Sequence, residues 1–382
     1  MTRSLSVAIV GCGIIGEHHA RAIARVDGIE IRAVVDPVAV RAEALAAFIA
    51  GELRGRRPGV YDDLAAALEW ARPDIVVICT PSGLHVAQAE TALAAGAHVV
   101  IEKPLDVDLA RARRLQRLAE RANGEGRIVS VISQHRFDPA SVSVARAAHG
   151  GGFGRLTSAV ASVAWWRSQA YYDSGQWRGT WALDGGGALM NQGVHTVDLL
   201  VWLLGRPVEV FAQTALLAHE RIDVEDVAVA TVRFASGALA VLHATTAAYP
   251  GVGVRLQVHG TLGSAVIQDD RLAYFHEWEE TDVADGRAAR NQAVEAVEPE
   301  HLYQSPPDPD AFVAGHVRQY EDIVSSIRTG ARPAVGVDDA VLALAVVRAV
   351  YVSARFGAPV RIADVLADVD AEQLTIVSKE AS

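Results

Sequence analysis

The stretch VAIVGCGIIGEHHARAI, residues 7–23, decides the fold of the first third of this chain. A short apolar β-run leads into Gly11, Gly13 and Gly16 in G-x-G-x-x-G spacing, and a helix opens at Ile14. The first glycine permits the tight turn after the strand, the second clears space for a pyrophosphate, and the third lets helix and strand pack closely. The helix start presents unpaired N–H groups of Ile14, Ile15 and Gly16 and the positive end of its dipole. A second β-run ends at Asp36, 20 residues beyond Gly16. A carboxylate there accepts hydrogen bonds from the adenosine ribose hydroxyls. It also repels a 2′-phosphate, so NAD is expected over NADP; NADP is admitted only if Arg41 folds back towards the ribose.

Working outward, β-rich runs VAIV (7–10), IRAVV (31–35), DIVVI (74–78), HVVI (98–101) and RIVSVI (127–132) alternate with alanine-rich amphipathic stretches, with a further short strand near Val60–Tyr61. Near-continuous apolar runs suit strands buried on both faces. The fold class expected is α/β, with an N-terminal doubly wound parallel sheet over 1–132. After 132 come a glycine- and aromatic-rich region, an apolar helix at 191–204, and closely spaced β-runs in 208–268 that read as an antiparallel or mixed sheet, open on one face if it packs against that helix. Residues 279–310 are acidic and proline-containing and read as a surface excursion. Helices are predicted at 311–328 and 338–355, packing back on the body, with PVRI as a last strand or tail. A second α/β domain, 133–382, is the result.

Composition narrows the function. A net charge of −11 lacks the basic face nucleic acid requires. No apolar run reaches the roughly 20 residues that cross a bilayer, and the N-terminal run enters a glycine turn rather than a signal-peptide cleavage site. Only Cys12 and Cys79 occur, so a disulfide framework is excluded and a reducing, cytoplasmic home is expected.

Chemistry-bearing residues stand at the strand ends, where open α/β sheets bind ligands. Thr80, Pro81 and Ser82 follow DIVVI, with His85 at a helix start, which reads either as a contact to the nicotinamide half of a cofactor or as a local cap or packing residue. Glu102, Lys103 and Pro104 follow HVVI. A partly desolvated lysine beside a cofactor loses its proton more readily and serves in proton transfer; pairing with Glu102 is the structural alternative. In DGGGALMNQGVHTVDLL, Asn191, His195 and Asp198 fall at i, i+4 and i+7 on one face of an otherwise apolar helix. A satisfied histidine–carboxylate pair is the competing reading. No third ligand accompanies His195 and Asp198, so no metal is expected. Among Trp165, Trp166, Arg167, Tyr171, Tyr172, Trp177 and Arg178, flat faces and donors suit a carbohydrate; Arg167, Tyr172, Trp177 and Arg178 are the substrate-facing choice. Gln134, Arg136 and Phe137 sit at the domain junction, and His316 is an outside candidate.

VAIVGCGIIGEHHARAI, CTPSGLH (79–85), EKPL (102–105) and GGGALMNQGVHTVDLL (185–200) stand in the order seen in the Gfo/Idh/MocA oxidoreductases, and the chain resembles that family over almost its whole length. The resemblance implies an NAD(P)-dependent dehydrogenase of the inositol and sugar dehydrogenase type. It also implies a second α/β domain with a large, open, mostly antiparallel sheet, a homodimer or homotetramer built on that sheet, Arg136 at the cofactor, and a catalytic pair at Lys103 and His195. His195 would take the proton of a sugar or polyol hydroxyl while Lys103 polarises the oxygen or relays the proton, the two roles being exchangeable. Many inositol-dehydrogenase-like members carry an aspartate where this chain has Asn191. An amide is no base but can hydrogen-bond a substrate hydroxyl. Two other readings stay open: an NAD-requiring glycosidase acting through transient oxidation, and a catalytically silent NAD-binding sensor.

Overall fold

The computed structural model describes residues 3–367 apart from 176, 281 and 283–289. The chain divides into two compact units, residues 1–134 with 309–341, and 135–308 with 342–382.

The first unit is built on six strands: β1 (Leu5–Val10), β2 (Ile29–Val35), β3 (Gly59–Tyr61), β4 (Ile75–Ile78), β5 (His98–Ile101) and β6 (Val129–Val131). Helices α1 (Ile14–Ile23), α2 (Ala39–Gly51), α3 (Leu64–Trp70), α4 (His85–Ala94) and α5 (Leu109–Gly124) alternate with them. The strands run in the order β3-β2-β1-β4-β5-β6, every pair parallel. Connections leave β1 towards β2 on one side and β4 on the other, so the switch point lies at the C-terminal ends of β1 and β4. All four residues of β4 are buried, as an apolar run without alternation requires.

The first unit is not one contiguous stretch. The helix Ala311–Thr329 puts Val313, Tyr320, Ile323 and Val324 into the same core as β1 and α1. Its Gln319 accepts from Ser133 N at 3.0 Å and donates to Val131 O at 2.8 Å, completing the backbone bonding beyond β6.

The second unit follows α6 (Pro139–Gly150) with β7 (Leu156–Ala164), α7 (Gln169–Asp173) and α8 (Val194–Leu204). Then come β8 (Pro207–Ala215), β9 (Val227–Phe234), β10 (Leu239–Thr245), β11 (Gly253–Gly260), β12 (Gly263–Gln268), β13 (Arg271–Glu277) and β14 (Val360–Arg361). The sheet order is β13-β12-β11-β7-β10-β9-β8-β14, and only β7 with β10 is parallel. In β9 buried and less buried residues alternate, the signature of a sheet with one covered face. Helix α8 packs on β7, and α6 packs on α8. Two strands carried too little signal to be read from sequence: β7, LTSAVASVA, whose small residues look like a loop, and β13, RLAYFHE, which mixes charge into an aromatic run. Yet β7 is central, with β10 on one side and β11 on the other. The acidic excursion returns to β13 through Asn291, whose Oδ1 accepts from Phe275 N at 3.1 Å; residues 281 and 283–289 of it lie outside the described residues.

One ionic group in this unit titrates far from its usual range. Asp269 and Asp270 form the β12–β13 turn, both at positive φ. Nδ1 of His135 lies 3.0 Å from Asp270 Oδ1 and 2.9 Å from Asp138 Oδ2. Burial alone would lower the histidine pKa, but the charge of Asp270 and the bonds to Asp138 and Asp270 override it and push it up to about 10. The folded state therefore holds this proton above pH 6.5, where the unfolded chain releases it. The stabilisation is full below pH 6.5 and fades as the pH rises towards 10. In thermal melts, His135→Gln should be less stable than the parent at pH 6 by a few degrees, at roughly 2–4 °C per kcal/mol. The gap should close towards pH 10; a constant gap would remove the imidazolium from the account.

Candidate active site

The glycine turn has the shape a dinucleotide needs. Gly11 sits at φ +96°, and a Cβ there would lie 2.6 Å from Cys79 O. A Cβ on Gly16 would lie 2.2 Å from Gly11 O, so the third glycine is what lets α1 close on the turn. Nothing stands within 4 Å of where a Gly13 side chain would project, which leaves a clear cradle before α1. Gly13 caps α1 without a side-chain acceptor, so the first N–H groups of the helix await an anion. Ile14, 74% exposed, and Ile15 lie at the mouth as apolar contact surface.

Asp36 is aimed by the backbone. Its Oδ2 accepts from Cys12 N at 3.0 Å and its Oδ1 from Val38 N at 2.9 Å, tying the end of β2 to the glycine turn. Each oxygen retains a second lone pair for a ribose hydroxyl. Arg41 is exposed and makes no hydrogen bond to Asp36 among the described residues. These residues fit NAD.

At the next strand ends the structure redistributes roles. Thr80 donates from Oγ1 to Gln88 Oε1 at 2.6 Å and follows β4 beside Pro81. His85 was expected to face the cofactor, but its ring is 1% exposed. Its nitrogens lie 2.8 Å from Thr80 O and 2.9 Å from Pro104 O, so it struts the loops after β4 and β5 together. Glu102 is likewise buried. Its Oε1 accepts from His19 Nε2 at 2.9 Å, and its Oε2 accepts from the Lys103 backbone N–H at 3.0 Å. His19 Nδ1 accepts a hydrogen bond from the Tyr320 hydroxyl at 2.6 Å. Burial alone would raise the Glu102 pKa, but the interactions with His19 and His316 outweigh it and hold the carboxyl well below its usual range. His316 is buried, bonded through Nδ1 to Phe312 O at 2.8 Å, with Nε2 3.6 Å from Glu102. Lys103 itself is half-buried at the end of β5.

In the second unit, the expected helix 191–204 begins as a π-turn, Leu189–Gly193, before α8. Asn191 therefore departs from a strict i, i+4 stack with His195, because the wider turn shifts the register. Glu225 secures the turn: its Oε2 accepts from Gly187 N and its Oε1 from Leu189 N, both at 2.9 Å. Burial pushes the Glu225 pKa up to about 7 against those bonds. Asn191 Nδ2 donates to Gly186 O at 3.0 Å. His195 is half-buried, its ring 4.8 Å from that of His135 and perpendicular to it.

Two further expectations change. Arg136, assigned to the cofactor, is buried and grips Asp198 of α8 through Nε at 2.8 Å and Nη2 at 2.6 Å. Tyr172, assigned to substrate, is buried with its hydroxyl 2.8 Å from Thr246 Oγ1. Trp177, Arg178 and Arg167 stay half-buried and stack around Tyr171. His19, Tyr320, Glu225 and the His135 pair escaped sequence reasoning, because each acts on a partner distant in the chain. Potential metal-ligand atoms converge at His19, Glu102 and His316 and at His135, Asp138 and Asp270. Hydrogen bonds join His19 to Glu102 and His135 to Asp138, while His316 Nε2 has no hydrogen-bond partner among the described residues.

No helix among the described residues is long and apolar enough to cross a membrane. Residues 5–132 match the model of an oxidoreductase family with an NAD-binding Rossmann fold, and 142–266 match the GFO/IDH/MocA C-terminal domain. The chain is 28% identical over 346 residues to inositol 2-dehydrogenase of Rhizobium meliloti (strain 1021), covering 88% of this chain and 93% of that one. It is 27% identical over 372 residues to D-apiose dehydrogenase of Paraburkholderia graminis, covering 95% and 91%. The WlbA dehydrogenase from Bordetella pertussis, solved with NADH and UDP-GlcNAcA, superposes with a TM-score of 0.80 at 30% identity, over 94% of this chain and 98% of that one. With both halves matched and the glycine turn, Asp36 and the strand-end lysine in place, this chain belongs to the Gfo/Idh/MocA family of NAD-binding oxidoreductases.

Proposed function

We propose that this protein is an NAD-dependent dehydrogenase acting on a hydroxyl carbon of a sugar, polyol or sugar derivative, with Lys103 and His195 in proton transfer. The observation that carries the reading is the backbone of Lys103, fixed at the end of β5 by the ionised Glu102 within an NAD-binding domain. Relatives named for inositol, D-apiose and a UDP-linked sugar all support a carbohydrate hydroxyl as the reacting group.

Gly11, Gly13, Ile14, Ile15 and Gly16 would hold the pyrophosphate and Asp36 the ribose. NAD, when bound, supplies the acceptor for the hydride leaving the carbinol carbon. His195 takes the hydroxyl proton as the carbonyl forms, Lys103 polarises the oxygen, and Asn191 orients a neighbouring hydroxyl by hydrogen bonding. Exchanged roles for the lysine and histidine fit the same proton balance. Two free cysteines support a reducing, cytoplasmic compartment.

We further propose a homo-oligomer built on the uncovered sheet face. Phe211, Val229, Leu239 and Val241 are exposed there on three adjoining strands, β8, β9 and β10. Contiguous apolar surface of that kind marks an interaction face. Sedimentation should show a dimer or tetramer that Val229→Glu with Val241→Glu converts to monomer; an unshifted species would move the interface elsewhere.

Absorbance of NADH across inositols, aldoses, glycosides and nucleotide sugars tests the activity. Lys103→Ala and His195→Ala should each lower kcat by about 10²–10⁴-fold, the usual worth of a positioned proton-transfer group. Calorimetry of NAD on His195→Ala separates lost chemistry from lost cofactor. NAD binding without NADH formation on any member of the panel would overturn the dehydrogenase reading. Asp36→Ser should weaken NAD about 10- to 100-fold, as for loss of hydrogen bonds to a charged acceptor, and raise NADP relative to NAD. An unchanged preference would take Asp36 out of cofactor choice.

A further inference from the structure

The strand-to-helix segment 165–178 in the second unit holds two guanidinium groups with no counter-charge. Arg178 Cζ lies 4.3 Å from the Tyr171 ring centroid and 4.4 Å from that of Trp177. Arg167 Cζ lies 5.0 Å from the same Tyr171 ring and 5.1 Å from Trp165. Two like charges thus share one aromatic ring, and neither makes an ion pair with a carboxylate among the described residues. The nearest acids in sequence are committed elsewhere: Asp173 accepts from Arg221 and Gln169, and Asp184 Oδ2 accepts from Gly179 N. Arginine carries its charge permanently. Aromatic faces orient such a cation but do not neutralise it.

A second feature points the same way. Tyr171 Oη accepts from Gln192 Nε2 at 3.3 Å, and Gln192 follows Asn191 in the π-turn. This bond ties the stack to the turn that leads into His195. Gln192 is itself buried, and its Oε1 has no hydrogen-bond partner; Arg167 Nε is in the same condition. A pair of unneutralised forks, flat rings and orphaned polar atoms beside the proposed catalytic turn is equipped for an anion joined to a sugar.

We propose that Arg167 and Arg178 form an anion subsite, and that the substrate is a sugar bearing a carboxylate or phosphate rather than a neutral polyol. This deepens the dehydrogenase reading and rests on it for the reaction, though not for the binding. The planar guanidinium takes either oxyanion in two parallel bonds, and the rings of Tyr171 and Trp177 cover the sugar or a base attached to it.

The test compares D-glucose, D-glucuronate, glucose 1-phosphate and UDP-glucose on the NAD-loaded protein, by NADH formation and by calorimetry. At least one anionic ligand should exceed glucose tenfold in kcat/KM or affinity, with KM rising as salt is added. Preference for glucuronate assigns the anion to a carboxylate; preference for the other two assigns it to phosphate. Arg167→Gln and Arg178→Gln should each reduce the anionic-to-neutral ratio about tenfold, mostly through KM. Lysine at either position should restore part of the ratio, which a purely structural role would not do. Equal use of glucose and all three anions, or a loss shared equally between them, overturns the subsite while leaving the dehydrogenase standing. Arginine-dependent anion binding without any turnover does the reverse.

Discussion

A buried carboxylate organises the first unit. Taking Glu102 out of water carries a heavy desolvation penalty, offset only if its oxygens are fully engaged. His19 supplies one bond, and the Lys103 backbone supplies another. The directions agree along the whole chain: the Tyr320 hydroxyl donates to His19, a neutral His19 donates to Glu102, and the ionised carboxyl holds the peptide N–H. Burial lowers the His19 pKa, which keeps the ring neutral and this relay of donors intact. Such networks stiffen a site when every member is satisfied. The lysine backbone is thus set by three side chains drawn from α1, the end of β5 and the helix 311–329.

The second unit solves a similar problem with different chemistry. An apolar helix carrying Asn191, His195 and Asp198 must satisfy each polar group or leave it to water. Asp198 is neutralised by Arg136, and Asn191 bonds back to the glycine run. Glu225 meets the opening N–H groups of the turn, with Tyr351 donating to the same carboxyl at 3.1 Å. The π-turn sits where these demands meet, and such insertions recur at functional sites. Around it, Arg167 and Arg178 stack on Tyr171, leaving their charges unneutralised among the described residues.

Much of this was legible because it is local. The strand–glycine–helix pattern of residues 7–23 places the turn and α1, and the apolar runs place the parallel strands. EKP at a strand end is local too. The errors share one cause, namely dependence on partners far along the chain. Leu156–Ala164 looks weak by itself, yet it is a central strand because β10 and β11 flank it. His85 at a helix start reads as available, and only the folded loops reveal the two carbonyls that enclose it. Arg136 at a domain junction reads as a ligand contact, whereas in the fold it pairs with Asp198, 62 positions away.

By itself, the sequence determined the nature of the first domain, the cofactor-binding turn and the carboxylate at Asp36, since backbone conformation and residue spacing act within a few residues. The tertiary structure alone decided which polar side chains face a ligand and which are internal struts. Burial and hydrogen-bond satisfaction are properties of neighbours in space, and the chain order of Glu102, His19 and Tyr320 carries no trace of their meeting.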